Sequence, residues 1–180
     1  MVKKLIYLLI ISMCITTVCM TTACSKHSTQ TNENAVEAGQ DAPDFKVSLT
    51  SGEQFKLSEN KDKVVLLNFW GTWCKPCVNE MPAIQKIYEE YKDRVQVIGS
   101  CDGEDRDVVD SFLEKNHFTY PVCYDMDGSL SAKYPTDGIP YTVIINKEGK
   151  ITDTIFGATN ADEQYNIFKE AIDKALAGDQ

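Results

Sequence analysis

Two thiols, Cys74 and Cys77, are separated by Lys75-Pro76 and stand where a strand-like run, Val64 to Phe69, gives way to a helical pattern. Cysteines at this spacing can close into one small disulfide and reopen, so Trp73-Cys74-Lys75-Pro76-Cys77 reads as a redox centre. A cysteine attacks as its thiolate, and with an ordinary pKa near ~8.5 only a small share is ionised at neutral pH. The start of a helix changes that balance. Its unpaired N–H groups and the positive end of the macrodipole stabilise an anion at Cys74, and Lys75 adds a mobile positive charge. Cys77 falls one turn further in, in line with Met81, Ile84, Tyr88 and Tyr91, a spacing that faces the core. Cys74 is therefore expected to attack and Cys77 to resolve. Pro76 suits the first turn, whereas Pro82 lies inside the pattern and is expected to kink the helix.

The elements around this centre alternate. Phe45 to Leu49 and Gln54 to Leu57, joined through Ser51-Gly52, suggest a hairpin. Val64 to Phe69 is a continuous apolar run, as expected of a central strand covered on both faces, and Val95 to Gly99 is a second. Between them lies the helix from about Cys74 to Tyr91. A further helix is expected over Asp105 to Asn116, with Val108, Val109, Phe112 and Leu113 on one side. This βαβα order implies parallel strands. Tyr141 to Ile145 and Ile151 to Phe156 flank Asn146-Lys147-Glu148-Gly149, a hairpin signal and hence an antiparallel pair. The last helix starts near Asn160, an N-cap with Glu163 three residues on, and turns Tyr165, Phe168, Ile172 and Leu176 inward.

The segment Asn68-Phe69-Trp70-Gly71-Thr72-Trp73-Cys74-Lys75-Pro76-Cys77, with Glu80-Met81-Pro82 after it, resembles the active-site segment of the thioredoxin superfamily, most closely the extracytoplasmic TlpA/ResA-like thiol-disulfide oxidoreductases. Far downstream, Gly138-Ile139-Pro140-Tyr141-Thr142 is similar to the loop in which that family holds a cis-proline against the dithiol. The resemblance spans roughly residues 39–176. It implies an α/β, thioredoxin-like fold, with a central mixed sheet flanked by helices, an N-terminal hairpin and a central insertion around 101–135. It also implies that Pro140 serves catalysis, that Trp73, Lys75, Pro76 and Ile139 meet the substrate, and that no cofactor is needed beyond the Cys74–Cys77 disulfide. Cytosolic thioredoxins carry a buried Asp six residues before the first cysteine; here that residue is Asn68, which cannot take a proton. In the TlpA/ResA-like branch a glutamate on the active-site helix serves near the dithiol, and Glu80 matches it.

The first 23 residues read as an export signal: Lys3 and Lys4 precede an apolar run from Leu5 to Met20 that is short and punctuated by Ser and Thr. Thr21-Thr22-Ala23-Cys24 resembles a bacterial lipobox, although Thr21 stands where Leu is usual. A lipidated Cys24 would hold the chain on a membrane through acyl chains. Residues 24–38 are polar and are expected to form a tether, and residues 39–178 the single folded domain. Without residues 1–23 the chain keeps 16 basic and 27 acidic side chains, a net charge of −11, which disfavours nucleic acid and anionic lipid as partners. A monomer on the extracytoplasmic face of a bacterial membrane is expected. The resemblance implies clients that are exported disulfide proteins, such as an apocytochrome c or a methionine sulfoxide reductase, and electrons from a transmembrane carrier of the CcdA/DsbD kind.

Rival readings use the same residues. Cys101 and Cys123 are either small buried hydrophobes, a second disulfide, or the other half of a zinc site with Cys74 and Cys77, which would make the chain a zinc-stabilised binding module. The histidines, His27 and His117, are not placed like ligands, and no metal is expected. Ala42-Pro43-Asp44-Phe45 also resembles the opening of peroxiredoxins, but their Thr three residues and Pro seven residues before the cysteine are Gly71 and Leu67 here. A disulfide-forming oxidase or isomerase is the alternative within thiol exchange. Lys75-Pro76 and Ile139 before Pro140 match the reducing type. Asp125-Met126-Asp127-Gly128 places its Gly too early for a calcium loop and reads as a turn.

Overall fold

The computed structural model of the chain describes residues 35–178. The export segment, Cys24 and most of the expected tether lie outside the described residues. Among the described residues no helix is long and apolar enough to cross a membrane.

A two-stranded antiparallel hairpin, β1 (Lys46–Ser48) and β2 (Gln54–Lys56), comes first. The main sheet is built from β3 (Val64–Trp70), β4 (Val95–Asp102), β5 (Val122–Asp125), β6 (Tyr141–Ile145) and β7 (Ile151–Phe156), in the order β5-β4-β3-β6-β7. β3 is central and wholly buried. It pairs in parallel with β4 and antiparallel with β6, and β6 pairs antiparallel with β7. The helices are α1 (Lys75–Tyr91), α2 (Arg106–Asn116) and α3 (Ala161–Ala177).

The crossovers β3-α1-β4 and β4-α2-β5 step in the same direction along the sheet, and right-handed connections then place both helices on one face. Side chains from all three helices indeed share one core cluster with Leu66 and Trp70 of β3. The opposite face, presented by Val65, Leu67 and Phe69, is covered by the hairpin and by Leu130 and Tyr134 of the connection from β5 to β6. The sheet is therefore covered on both faces, but by helices on only one. Val36, within the stretch read as tether, packs with this second cluster, so the packed chain begins before residue 39.

Several inward residues differ from the expected stripes. On α1 the seam runs through Ile84 and Ile87, with Tyr88 half-buried, and Pro82 sits on the exposed side within one continuous helix. On α2 only Val109 and Leu113 are buried, an i, i+4 pair; Val108, about 100° away around the helix, is exposed. On α3 the buried line is Gln164, Phe168, Ala171, Ile172 and Ala175, whose alanines let the helix approach α1 closely; Tyr165 and Leu176 stay at its margins. The side chain of Asn160 caps this helix by accepting from the N–H of Glu163 at 3.1 Å.

Gly99, in the middle of β4, has a steric role. A Cβ there would lie 3.0 Å from both Trp70 Nε1 and Tyr120 Cε2, so the absence of a side chain is what lets two large rings close over the strand. Replacing a strand glycine by alanine ordinarily stabilises by reducing chain entropy. Gly99→Ala should instead lose about 1–3 kcal/mol through overpacking, measured by urea unfolding of the oxidised protein.

Candidate active site

β3 delivers the dithiol. Its carboxyl end runs through Gly71-Thr72-Trp73 into α1, so Cys74 becomes the N-cap and Cys77 lies in the first turn. In this structure the two form a disulfide, and Cys74 Sγ accepts from the backbone N–H of Cys77 at 3.3 Å. The same N–H is placed to stabilise a sulfur anion at Cys74 once the disulfide is reduced. Cys74 is 5% exposed and Cys77 is 0% exposed, so only the first sulfur reaches solvent. Lys75 and Pro76 are exposed beside it, and Trp73 is 69% exposed, whereas Trp70 is buried beneath.

The second edge of β3 brings in the distant loop. Phe69 registers opposite Tyr141 at the start of β6, which carries the residues before Tyr141 to the end of β3 where the dithiol sits. Ile139-Pro140 is a cis peptide, and the carbonyl oxygen of Ile139 lies 3.8 Å from Cys74 Sγ. The carbonyl of Pro140 is taken by the N–H of Gly157 at 2.9 Å, while among the described residues Ile139 makes no backbone–backbone hydrogen bond. An extended peptide could pair with it.

Glu80 is 1% exposed, on the inner side of α1 one turn beyond Cys77. Asn68 donates through Nδ2 to Glu80 Oε1 at 2.8 Å and to Thr142 Oγ1 at 2.9 Å, so β3 and its register partner on β6 jointly orient the carboxyl. Glu80 Oε2 has no hydrogen-bond partner among the described residues. Burial pushes the carboxyl up to about 8, against a smaller opposing effect of the Asn68 hydrogen bond. At neutral pH the group is mostly protonated yet close to its midpoint, which suits proton exchange with a thiol. Asn68 cannot take a proton itself, but it holds the group that can.

Three further contributors carried no clear signal in the sequence. Glu104, in the loop after β4, accepts from the Thr72 backbone N–H at 2.6 Å and from the Thr72 hydroxyl, clamping the residue two before Cys74. Cys101 donates to the same carboxylate at 3.3 Å. Phe156, at the end of the edge strand β7, is exposed beside Gly138, where a Cβ would meet its ring at 3.6 Å. Only the fold shows that these positions converge.

The remaining cysteines separate cleanly. Cys101 registers with Tyr124 and Cys123 with Ser100, so the two thiols project from opposite faces of the sheet and belong to different core clusters. They are free and buried, and they can neither join each other nor complete one tetrahedral site with Cys74 and Cys77. Burial, with Glu104 next in effect, pushes the Cys101 thiol well above the ordinary range, and burial pushes Cys123 up to about 12. Both stay protonated and unreactive at neutral pH.

Two outcomes follow from this geometry. The folded carboxyl of Glu80 titrates about 8 against an ordinary 4.5, so between these values the native state holds a proton that the unfolded chain has lost, and stability falls as pH rises. Relative to Glu80→Gln, the oxidised wild type should lose on the order of 4 kcal/mol between pH 4.5 and pH 9 in urea titrations; a difference independent of pH would contradict this account. Glu104→Ala should cost roughly 1–3 kcal/mol by leaving Thr72 unpaired, and Glu104→Gln, which still offers an acceptor, should recover most of that loss in the same measurement.

Comparison with known proteins agrees with the geometry. Residues 38–154 match the AhpC/TSA family model. The thiol-disulfide oxidoreductase ResA of Bacillus thuringiensis subsp. konkukian is 34% identical over 141 residues, which cover 78% of this chain and 82% of that protein. The thioredoxin-like protein YneN of Bacillus subtilis is 38% identical over 135 residues, covering 73% of this chain and 78% of the relative. Among solved structures, StoA from Bacillus subtilis superposes with a TM-score of 0.61 at 28% identity, over 69% of this chain and 96% of its own. With a thioredoxin-like fold, a CxxC disulfide and these relatives, the chain belongs to the AhpC/TSA family and is a thiol-disulfide oxidoreductase similar to ResA.

Proposed function

We propose that the chain works as a reductase of disulfides in exported proteins, held on the outer face of a bacterial membrane by a lipidated Cys24. The observation that carries the reductive direction is the buried Glu80 carboxyl, one turn beyond Cys77 on α1. A strong oxidant of this fold stabilises its reduced, thiolate form. Here the helix terminus and Lys75 favour the thiolate, while the same desolvation that keeps the Glu80 carboxyl mostly protonated disfavours an anion on the inner side of the dithiol, and destabilising the thiolate relative to the disulfide makes the dithiol a better electron donor.

The exchange then runs in two displacements. Cys74 thiolate attacks one sulfur of the client disulfide, forming a mixed disulfide and releasing the other client sulfur as a thiolate that takes a proton from solvent. Cys77 passes its proton to Glu80 in its ionised form and attacks Cys74 Sγ; the bond between Cys74 and the client breaks, the second client sulfur leaves as a thiolate and takes that proton back from Glu80, and the Cys74–Cys77 bond seen here remains. The client gains two electrons and two protons. Trp73, Lys75, Pro76 and Ile139 supply the surface on which it docks, with Pro140 beside the reacting sulfur.

The N-terminal segment supports the location: a charged start, a short apolar run and Thr21-Thr22-Ala23-Cys24, followed by a polar tether. A domain so placed is out of reach of soluble cytosolic reductants, so its electrons come from a transmembrane thiol carrier of the CcdA/DsbD kind. Clients of the apocytochrome c or methionine sulfoxide reductase type fit the chemistry, and a monomer without metal or nucleic acid is sufficient for it.

Cys77→Ser should leave clients covalently held on Cys74, recoverable from cells as mixed disulfides that dithiothreitol releases, while Cys74→Ser captures none. A reduction potential near about −270 mV supports the reductase; one near about −120 mV would make the protein an oxidase instead.

A further inference from the structure

Beside the dithiol lies a groove of about 640 Å³. Its apolar lining includes Phe69, Trp73, Pro135 and Ile139, and two carboxylates, Asp102 and Asp137, stand in the same wall. The groove is continuous with the reacting sulfur, because Trp73 precedes Cys74 and the Ile139 carbonyl touches Cys74 Sγ. The charged groups in its lining are one-signed, and Lys75, exposed beside Cys74, is not part of that lining. Among the described residues neither Asp102 nor Asp137 has an ion-pair partner, and the nearby cations are turned elsewhere: Lys133 donates to the Asp44 carbonyl and Arg106 stacks on Tyr124. Asp125, paired with Asp102 across β4 and β5, adds to the negative charge, since the N–H groups of Leu130 and Ser131 that donate to its two oxygens favour its ionised form. Burial first, and the charge of Asp125 second, push the Asp102 carboxyl upward, a cost that a cation at this place would remove.

We infer that this groove selects clients whose disulfide cysteine is flanked, within a few residues of extended chain, by a lysine or arginine, the aliphatic stem lying on Trp73 and Pro135 and the charged head meeting Asp102 and Asp137. Long basic side chains suit such a surface because they bury a stem while keeping a charged end near carboxylates. A residue of extended chain advances about 3.3 Å, so a segment that places its sulfur at Cys74 runs its neighbours along the groove. A second copy of this chain is a poor occupant, since its net charge of −9 has the same sign as the groove. The inference rests on the reductase reading and adds to it the chemical class of client that docks best.

The test uses the reduced protein and three blocked peptides, each as its symmetric disulfide, identical except for Lys, Ala or Glu on both sides of the cysteine. Hydroxyethyl disulfide, small and neutral, serves as the reference substrate. At low ionic strength the Lys peptide should react at least about tenfold faster than the Glu peptide, with Ala between them, and added salt should narrow the gap. Asp102→Asn combined with Asp137→Asn should shrink the Lys-to-Glu ratio to about threefold or less. Asp62→Asn combined with Glu170→Gln, two exposed carboxylates outside the groove, removes the same charge and should leave the ratio nearly as it was. Equal rates for the Lys and Glu peptides, or a ratio reduced as much by the remote pair as by the groove pair, would overturn the assignment. If hydroxyethyl disulfide is not reduced at all, the reductase reading itself falls, and the groove assignment with it.

Discussion

The structure turns on the two edges of one buried strand. β3 ends at the dithiol, and its neighbours bring the residues that surround it. Parallel pairing with β4 brings the Glu104 loop over Thr72; antiparallel pairing with β6 brings Ile139-Pro140 against Cys74 and Thr142 against Asn68. A slip of one residue in the β3–β6 register would turn Asn68 away from Thr142 and move the proline loop off the sulfur. The run Val64 to Leu67 is apolar on both faces and cannot by itself resist such a slip, so the buried hydrogen bonds of Asn68 to Thr142 and Glu80 pin the register.

Within this frame a polar cluster is carried at a cost. Asn68, Glu80 and Thr142 lie in the helix-side core, and the carboxyl can remain there because it is mostly neutral near pH 7. A permanently charged group at the same position would need a buried cation that the site does not contain. Tyr120, fully buried and pushed well above its ordinary range first by burial and then by Glu80, closes the wall of this compartment. The arrangement keeps one proton within the protein, next to the place where thiol chemistry releases or consumes one.

Much of the fold was legible beforehand because its determinants are local. The apolar run of β3, the turn at Asn146 to Gly149 and the cap at Asn160 each predict an element that the structure contains. The dithiol was legible for the same reason, since its spacing and its helix start are contiguous. What escaped was tertiary. Val108 looked like an inward residue from its type but lies off the Val109–Leu113 line, and the one-sided placement of the helices follows from crossover handedness, which composition does not reveal. Glu104 reads as one more acid in Asp102-Gly103-Glu104-Asp105 until the loop is folded over Thr72. Glu80 lay between the two cases: its position on α1 was visible, but its burial depended on how closely the helix packs on β3.

The opposed placement of Cys101 and Cys123 bears on how the chain matures. The four cysteines among the described residues can in principle be joined in three complete patterns. With one of the spare thiols sealed into each side of the sheet and both too weakly acidic to ionise, the completed domain can oxidise in only one way. A cross-link formed wrongly before folding would occupy a thiol that the finished sheet must bury, so such a chain cannot complete the domain until exchange with another thiol has released it.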